Sequence, residues 1–323
     1  MAGQQQAAAL LLAGQLVAVP TETVYGLAAD ATQPLAVAAI YAAKGRPQFN
    51  PLIAHVPDLA AAQALVDFDP LSRQLAEAFW PGPLTLVLPR RPDCVVAELA
   101  GSGLDTLAVR VPRQPDLLAV LRLLGRPIVA PSANRSGQLS PTTAGHVRAS
   151  LAGQPAVAAV LDGGPCPVGV ESTVVQVVEG QAWLLRAGGL PLQDLEAVCG
   201  PLHRARSSAE PRAPGQLAVH YAPKIPLRYP ATAVLPGEAL LTFAGQTLPG
   251  AVPVVARDLS PAGDSHQAAA ALFALLHELD QTGASGIAAV AIPAGGLGEA
   301  IADRLTRAAA ATSSANLESG VRP

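Results

Sequence analysis

Four short stretches of the chain combine a strand-like apolar run with an abrupt turn rich in small polar residues. Taken singly, Thr and Ser beside Pro most often close turns or cap helices. In α/β proteins, however, ligands bind beyond the ends of strands, so the four stretches together predict one shared polar cleft. They are "VPTETVYG" (19–26), "AKGRPQFNPLIAH" (43–55), "IVAPSANRSGQLSPT" (128–142) and "GVESTVV" (169–175).

The "KGR" motif gives the most specific charge signal. The chain has 21 basic residues, and its two lysines are Lys44 and Lys224. A compact ammonium and a planar guanidinium are different phosphate ligands, so a lysine at this turn indicates a phosphate site. The alternative is a helix C-terminus, with Lys44 on the helix dipole and Gly45 as a left-handed cap. Both interpretations can hold together.

Other catalytic chemistries are poorly supported by the sequence. Cys94, Cys166 and Cys199 lie far apart without CxxC spacing, and the six histidines lack metal-ligand spacing. The Gly-rich segment 162–169 matches neither a P-loop nor a GxGxxG motif. The residues therefore predict no zinc site, no disulfide framework and no covalent mechanism.

Length and composition limit the class of protein. At 323 residues the chain is roughly twice a typical domain, which predicts two domains. A net charge of -3 disfavours a protein that binds nucleic acid or a membrane through its overall charge. The apolar segment 7–19 has no basic residue before it, and no apolar run reaches the roughly 18 residues that span a membrane. We therefore expect a cytoplasmic protein without a membrane segment.

Short apolar runs alternate with helical patterns, which predicts an α/β fold. Proline at the first helical position and Asp69 or Ser140 as a cap support several helix starts, at Pro34, Pro70 and Pro141. The predicted strands are 15–20, 51–56, 84–89, 106–111, 127–131, 156–161, 172–178 and 182–186. The predicted helices include 34–43, 70–79, 141–151 and 191–198.

The amino-acid composition changes after residue 199, and the regular apolar periodicity is lost. We predict a first domain over 1–199 and an interdomain linker or lid over 200–230, which is rich in Pro, Arg and Ser. Residues 231–323 form a smaller α/β domain, with a last helix over about 297–311. The tail from Thr312 has the composition of a frayed terminus.

The four polar stretches, together with "FWPGPLTLVL", "VRVP" and "LLRAGG", resemble the YrdC-like domain of the threonylcarbamoyl-AMP synthases. "PGQLAVHYAPK" and "AGGLGEAIADRLTRAA" resemble the longer, two-domain form of that family. The resemblance implies a YrdC-like twisted open sheet with helices, linked to a smaller Rossmann-like three-layer α/β domain. It also implies a nucleotidyltransferase that condenses L-threonine, bicarbonate and ATP into L-threonylcarbamoyladenylate and releases pyrophosphate. The product would pass to a tRNA threonylcarbamoyl transferase complex.

The resemblance also implies a role for each matching residue. Lys44 and Arg46 would carry catalysis by neutralising charge, because a carbamate attacking an α-phosphate joins two anions. Mg²⁺ would accompany ATP. Its protein ligands are left open, and Glu22 and Glu171 are the acidic candidates. L-threonine would contact Thr23, His55, Arg110 and Ser172. ATP would contact Lys44, Arg46, Asn50, Thr106, Ser132, Asn134, Ser140, Arg186 and Tyr221, the last from a linker segment folded over the cleft.

Two other functions stay open at this point. A non-catalytic RNA-binding maturation factor would use a concave face of the sheet, but residues 1–199 carry more acidic than basic side chains. Direct tRNA binding is therefore left open. Carbamoyl transfer to a hydrogenase maturation partner would need acylphosphatase and zinc-finger segments that this sequence lacks.

Overall fold

The computed structural model describes residues 2–47, 49–204 and 220–318, and the side chains only as far as residue 311. The described chain forms two compact units. The first comprises Met1–Ser136, Pro141–Pro167 and Glu171–Gln216, and the second Gly137–Ser140, Val168–Val170 and Leu217–Pro323.

The described strands of the first unit form one ten-stranded sheet in the order β10-β9-β8-β4-β5-β3-β6-β2-β1-β7. The strands are β1 (Leu16–Val19), β2 (Gly26–Asp30), β3 (Ile53–His55), β4 (Leu84–Pro89), β5 (Thr106–Arg110), β6 (Ile128–Val129), β7 (Val157–Val160), β8 (Thr173–Val178), β9 (Gln181–Arg186) and β10 (His203–Arg204). The helices are α1 (Ala2–Leu12), α2 (Pro34–Lys44), α3 (Leu59–Gln63), α4 (Pro70–Phe79), α5 (Pro115–Leu124), α6 (Ala144–Ser150) and α7 (Leu192–Cys199), with a 3-10 helix at Glu98–Gly101.

The predicted α/β pattern is confirmed, and β4 and α4 have the predicted bounds. The start of α4 is fixed as expected, because the Asp69 carboxylate accepts hydrogen bonds from the backbone N–H groups of Leu71 (2.9 Å) and Ser72 (3.1 Å). Pro34 and Pro70 each occupy the first helical position.

The predicted start of α6 is wrong. Thr143 is the N-cap, and its hydroxyl accepts from the backbone N–H of His146 at 3.2 Å. Pro141 lies before the helix, and its carbonyl instead accepts from Tyr25 N–H at 2.8 Å. Neither Pro141 nor Ser140 therefore opens or caps this helix, because this part of the chain is held by the β1–β2 turn.

The two faces of the sheet are packed differently. One face contributes residues such as Leu86, Val109 and Val175 to the largest hydrophobic core. On the other face, α1 and α5 cover β1, β2 and β6 in a second cluster. A third cluster joins β3, β4, β5 and β8 and includes no residue of a described helix; its buried members are Ile53, Val87, Ala108 and Val174. These residues are at most 7% exposed, so this part of the face is covered, although no described helix contributes to its apolar cluster.

The second unit is a small parallel α/β fold, as predicted. Its strands lie in the order β11-β14-β12-β13 and pair in parallel throughout the described residues. They are β11 (Leu227–Arg228), β12 (Glu238–Thr242), β13 (Ala256–Asp258) and β14 (Gly286–Ala289), and the helices are α8 (Ser265–Leu279) and α9 (Gly298–Glu318).

The C-terminal half differs from its prediction at the end of the last helix. The segment from Thr312 to Glu318 is helical rather than frayed, because α9 continues through it. Residues 205–219 of the predicted linker lie outside the described residues. Throughout the parts of the chain that the structure describes, each helix is too short or too polar to cross a membrane.

The cap of α4 allows a stability test. We expect Asp69→Ala to lower the free energy of unfolding of the first unit by about 1 kcal/mol, because two backbone N–H groups lose their acceptor. Both tryptophans of the chain, Trp80 and Trp183, belong to this unit, so fluorescence during chemical denaturation reports on it alone. Glu77→Ala on the same helix is the control, since its exposed pair with Arg73 should contribute little. Equal effects of the two variants would contradict the cap.

Candidate active site

The sheet face that carries the third cluster also carries buried polar side chains. Successive strand residues alternate between faces, so His55 shares the face of Ile53, and Arg110 that of Ala108. The register places His55 directly opposite Arg110. Thr85 Oγ1 on β4 lies 2.7 Å from Ser172 Oγ, just before β8. Three of the residues predicted to bind threonine, His55, Arg110 and Ser172, thus lie on one face of the sheet.

The Arg110 guanidinium is buried and joins the strands to the β1–β2 turn. Its Nε donates to Gly82 O at 3.2 Å, and its Nη1 donates to Thr23 Oγ1 at 3.0 Å. Its Nη2 lies 2.7 Å from Glu22 Oε1. Both side chains of this ion pair are at most 5% exposed. The Thr23 hydroxyl and the guanidinium therefore form one predicted site.

The turn at 21–24 is held by Thr21. Its hydroxyl accepts from the backbone N–H groups of Thr23 (3.0 Å) and Val24 (3.1 Å) and donates to Val24 O (2.7 Å). The Thr21 and Thr23 hydroxyls are 2.7 Å apart. Thr21 thus stabilises the turn, whereas Thr23 presents its hydroxyl to Arg110. The two threonines of "TET" have different tasks.

His55 is held as a neutral ring. Its Nδ1 lies 3.1 Å from Ile53 O, so Nδ1 carries the proton and Nε2 keeps its lone pair. Burial, and secondarily the positive charge of Arg110, lowers the pKa of His55 to about 3. At neutral pH this side chain can therefore accept a hydrogen bond through Nε2 without carrying a charge.

Lys44 connects the second and third polar stretches. It is the last residue of α2, and Gly45 follows as a left-handed cap with φ of 61°. The Lys44 ammonium donates to Ser132 O and Asn134 O, both at 2.5 Å. Burial, and secondarily Arg46, holds the pKa of Lys44 well below its ordinary value. The helix-end and the binding interpretations of this residue are thus compatible.

Arg46 and Asn50 lie in the same loop. Arg46 donates to the backbone carbonyls of Asn50 (Nε, 3.3 Å) and Pro51 (Nη2, 3.0 Å). The Asn50 side chain is 1% exposed, and neither its amide nitrogen nor its oxygen has a hydrogen-bond partner among the described residues. Buried amides are normally paired, so this one indicates a place for a ligand group.

Arg186 lies at the end of β9 beside Ser172. Its Nη2 donates to Ser172 O at 2.8 Å and to Ser172 Oγ at 3.2 Å. Thr106 begins β5, on the same face as Arg110 by alternation and about 13 Å along the strand. The structure thus brings Arg186 to the threonine-site residues and leaves Thr106 at the other end of the face.

Two predicted ATP contacts belong to the second unit. Ser140 O accepts from His277 Nε2 at 3.2 Å. Tyr221 is 1% exposed, and its ring lies 4.0 Å from that of His220, 5.6 Å from that of Phe273 and 5.1 Å from the Arg304 guanidinium. These contacts give both residues a place in the packing of that unit. Their ATP contacts stay predictions.

The described residues offer neither a protein metal cage nor an activated thiol. They contain no group of three His, Cys, Asp or Glu side chains able to hold a metal ion. The pKa of the buried Cys166 thiol is raised to about 12, chiefly by burial, so it stays protonated. The site is instead composed of buried cations, hydroxyls and amides. Such a set can bind and orient anionic groups.

Two family models match the chain. One, described as "Telomere recombination" for the Sua5, YciO and YrdC proteins, matches residues 9–188. The other, "Threonylcarbamoyl-AMP synthase, C-terminal domain", matches residues 190–310.

Several known proteins are similar to this chain. The threonylcarbamoyl-AMP synthase of Pyrococcus abyssi is 40% identical over 318 residues, which cover 94% of this chain and 92% of that protein. The Bacillus subtilis protein of the same name is 47% identical, and the match covers 69% of this chain and 65% of the relative. The structure of P. abyssi Sua5 complexed with L-threonine superposes with a TM-score of 0.86 at 37% identity, over 96% of this chain and 94% of that one. E. coli YciO, with 21% identity and a TM-score of 0.51, shares the fold over 57% of this chain and 88% of that one.

The fold is that of a YrdC-like α/β protein with a smaller C-terminal α/β domain. The two family models and the nearly full-length similarity to the P. abyssi protein identify the family within this class. The chain belongs to the threonylcarbamoyl-AMP synthase family, in its two-domain form. This confirms the predicted family and favours an enzyme over an RNA-binding factor.

Glu22 is the residue at this site that sequence reasoning did not assign to substrate. It was a candidate for Mg²⁺ alone, because a glutamate between two threonines carries no pattern that points to a distant arginine. The ion pair with Arg110 depends on the fold. The one signal for Glu22 in the sequence is that charged residues are scarce, at 14% of the chain, so each of them is a candidate for a specific role.

The neutral state of His55 makes stability depend on pH. The unfolded chain binds a proton at His55 below about pH 6.5, whereas the folded protein does so only near pH 3. We therefore expect the free energy of unfolding to fall as the pH is lowered through this interval, with His55 contributing up to about 1.4 kcal/mol per pH unit. His55→Asn keeps a donor to Ile53 O and should show a shallower dependence, measured by denaturation at several pH values. Parallel curves for the two proteins would contradict this assignment.

Proposed function

We propose that this chain synthesises L-threonylcarbamoyladenylate from L-threonine, bicarbonate and ATP, with release of pyrophosphate. The observation that carries the proposal is the nearly full-length similarity to the P. abyssi synthase. The solved structure of P. abyssi Sua5 holds L-threonine, and in this chain the buried Arg110 guanidinium lies beside the Thr23 hydroxyl predicted to bind it. The site residues below are those that the family resemblance implies, considered with the geometry of this chain.

L-threonine binds on the face around Arg110. The planar guanidinium accepts a carboxylate as a fork, and three of its N–H hydrogens are not committed to Thr23 or Gly82. The neutral His55 ring offers Nε2 to a hydroxyl or amino hydrogen. Thr23 and Ser172 add hydroxyls at the two ends of this group. A small, polar amino acid fits such a set of partners.

ATP binds toward the loop that contains Lys44, Arg46 and Asn50. Lys44 and Arg46 neutralise phosphate charge, and the unpaired Asn50 amide supplies a donor and an acceptor. A bound polyphosphate would also raise the pKa of Lys44, because it supplies the counter-charge that burial otherwise withholds. The other residues assigned to ATP are Thr106, Ser132, Asn134, Ser140, Arg186 and Tyr221.

The chemistry needs positioning and charge neutralisation. The neutral amino group of threonine and bicarbonate condense to a carbamate with loss of water. A carbamate oxygen then forms a bond to the α-phosphorus while the bond to pyrophosphate breaks and pyrophosphate leaves. Because both reactants are anions, the buried cations contribute most by lowering their mutual repulsion. Mg²⁺ is usually held by substrate phosphates together with one or two carboxylates, so we assign the ion to the triphosphate and leave its protein ligands open.

The product is a mixed anhydride, whose activated carbonyl suits it to group transfer. We propose that it is passed, in the cytoplasm, to a transferase complex that modifies tRNA.

The direct test is pyrophosphate release by the purified chain. We expect release when ATP, L-threonine and bicarbonate are supplied together, and little when either threonine or bicarbonate is omitted. A coupled pyrophosphate assay, with the adenylate identified by mass spectrometry, measures this. Release that does not depend on threonine would contradict the proposal.

A charge-matched pair of variants tests the role of Lys44. We expect Lys44→Met to lower kcat/KM about 100- to 1,000-fold, because a charge-assisted contact is lost at a closed site. L-threonine binding without ATP, measured by calorimetry, should change little. Arg135→Met removes one charge from the exposed part of the 128–142 loop and should retain near-normal kinetics. If Lys44→Met weakened threonine binding as much as turnover, Lys44 would have a structural role alone.

A further inference from the structure

Glu22 is a buried carboxylate with unused hydrogen-bonding capacity. Its residue is 4% exposed, and neither side-chain oxygen accepts a hydrogen bond from a described residue. Oε1 and Arg110 Nη2 form an ion pair at 2.7 Å, and neither atom makes a well-aligned hydrogen bond to a described residue. The two charges thus balance each other at close range while their polar atoms stay available.

Burying an isolated charge is costly, whereas a pair of opposite charges with further hydrogen bonds is tolerated. A ligand that inserts here must therefore preserve this balance. An amino-acid zwitterion does so, because its carboxylate pairs with Arg110 and its ammonium can pair with Glu22. A ligand with one charge would leave one member of the pair without a counter-charge.

We propose that Glu22 is a specificity-determining residue that binds the ammonium group of the amino-acid substrate, so that Glu22 and Arg110 together select a zwitterion. This inference rests on the proposed function, because it concerns the threonine site of that reaction. The ammonium of threonine has no counter-charge in the set Arg110, Thr23 and Ser172, and the proposal assigns it to Glu22.

The neighbouring groups support Glu22 as the counter-charge. The Cys166 thiol interacts electrostatically with Glu22 and Arg110, but it stays uncharged because burial raises its pKa to about 12. His55, which lies opposite Arg110, is also neutral, because burial lowers its pKa. Glu171 is the other buried carboxylate of the polar stretches, at 8% exposure, but the ion pair with Arg110 is made by Glu22.

The test compares two ligands and two variants by calorimetry, without ATP or bicarbonate. The ligands are L-threonine and its α-hydroxy analogue of the same configuration, in which a hydroxyl replaces the ammonium. We expect Glu22→Gln to weaken binding of L-threonine about 10- to 100-fold, the usual effect of losing a hydrogen bond to a charged group. Binding of the α-hydroxy analogue should stay within a few fold, so the variant loses discrimination between the two. The control Glu171→Gln should keep the discrimination of the wild type.

Each other outcome has a defined meaning. If Glu22→Gln weakened both ligands by the same factor, Glu22 would merely position Arg110, and the proposal would be wrong. It would also be wrong if Glu171→Gln were the variant that lost discrimination. Melting curves of the full chain show whether Glu22→Gln folds, and Glu22→Asp, which keeps the charge, should retain part of the preference for L-threonine. Failure of the wild type to bind L-threonine at all would instead count against the proposed function.

Discussion

The buried guanidinium of Arg110 is the constraint on which the site depends. A charge inside the protein must be surrounded by acceptors, and two separate parts of the chain supply them. Gly82 provides a carbonyl, and a side chain at that position would place its Cβ 2.3 Å from Phe79 O, so the backbone approach requires glycine. Thr23 and Glu22 come from the β1–β2 turn. The local conformations of the turn and of the approach to β4 are therefore both tied to one cation on β5.

Lys44 has a comparable role at the other end of the face. Its ammonium joins the end of α2 to two carbonyls of the loop after β6, so a helix terminus and a distant loop are fixed by one side chain. In a chain with few charges, these buried cations account for a large part of the organisation around the site. They also place positive charge at the two regions where the proposed substrates carry negative charge.

The sequence predicted those elements whose signals are local. The strand β4 is a largely apolar run that follows Pro83 and ends at Pro89, and α4 has both a cap and a first-position proline, so their predicted bounds are correct. β2 was not predicted, because "GLAAD" has little strand propensity and becomes a strand through its pairing with β1 and β6. The location of the site was predicted at strand ends. Its extent across a sheet face, and the Glu22–Arg110 pair, depend on contacts between residues far apart in the chain.

The small aliphatic cluster of Ile53, Val87, Ala108 and Val174 has a consequence for the lifetime of the product. A mixed anhydride is destroyed by water, and aliphatic side chains offer water no hydrogen bonds that would hold it in place. The four side chains are at most 7% exposed and lie on the sheet face of the proposed threonine site, so they would form a dry aliphatic floor there. In the proposed reaction such a floor would slow the hydrolysis of the adenylate before transfer.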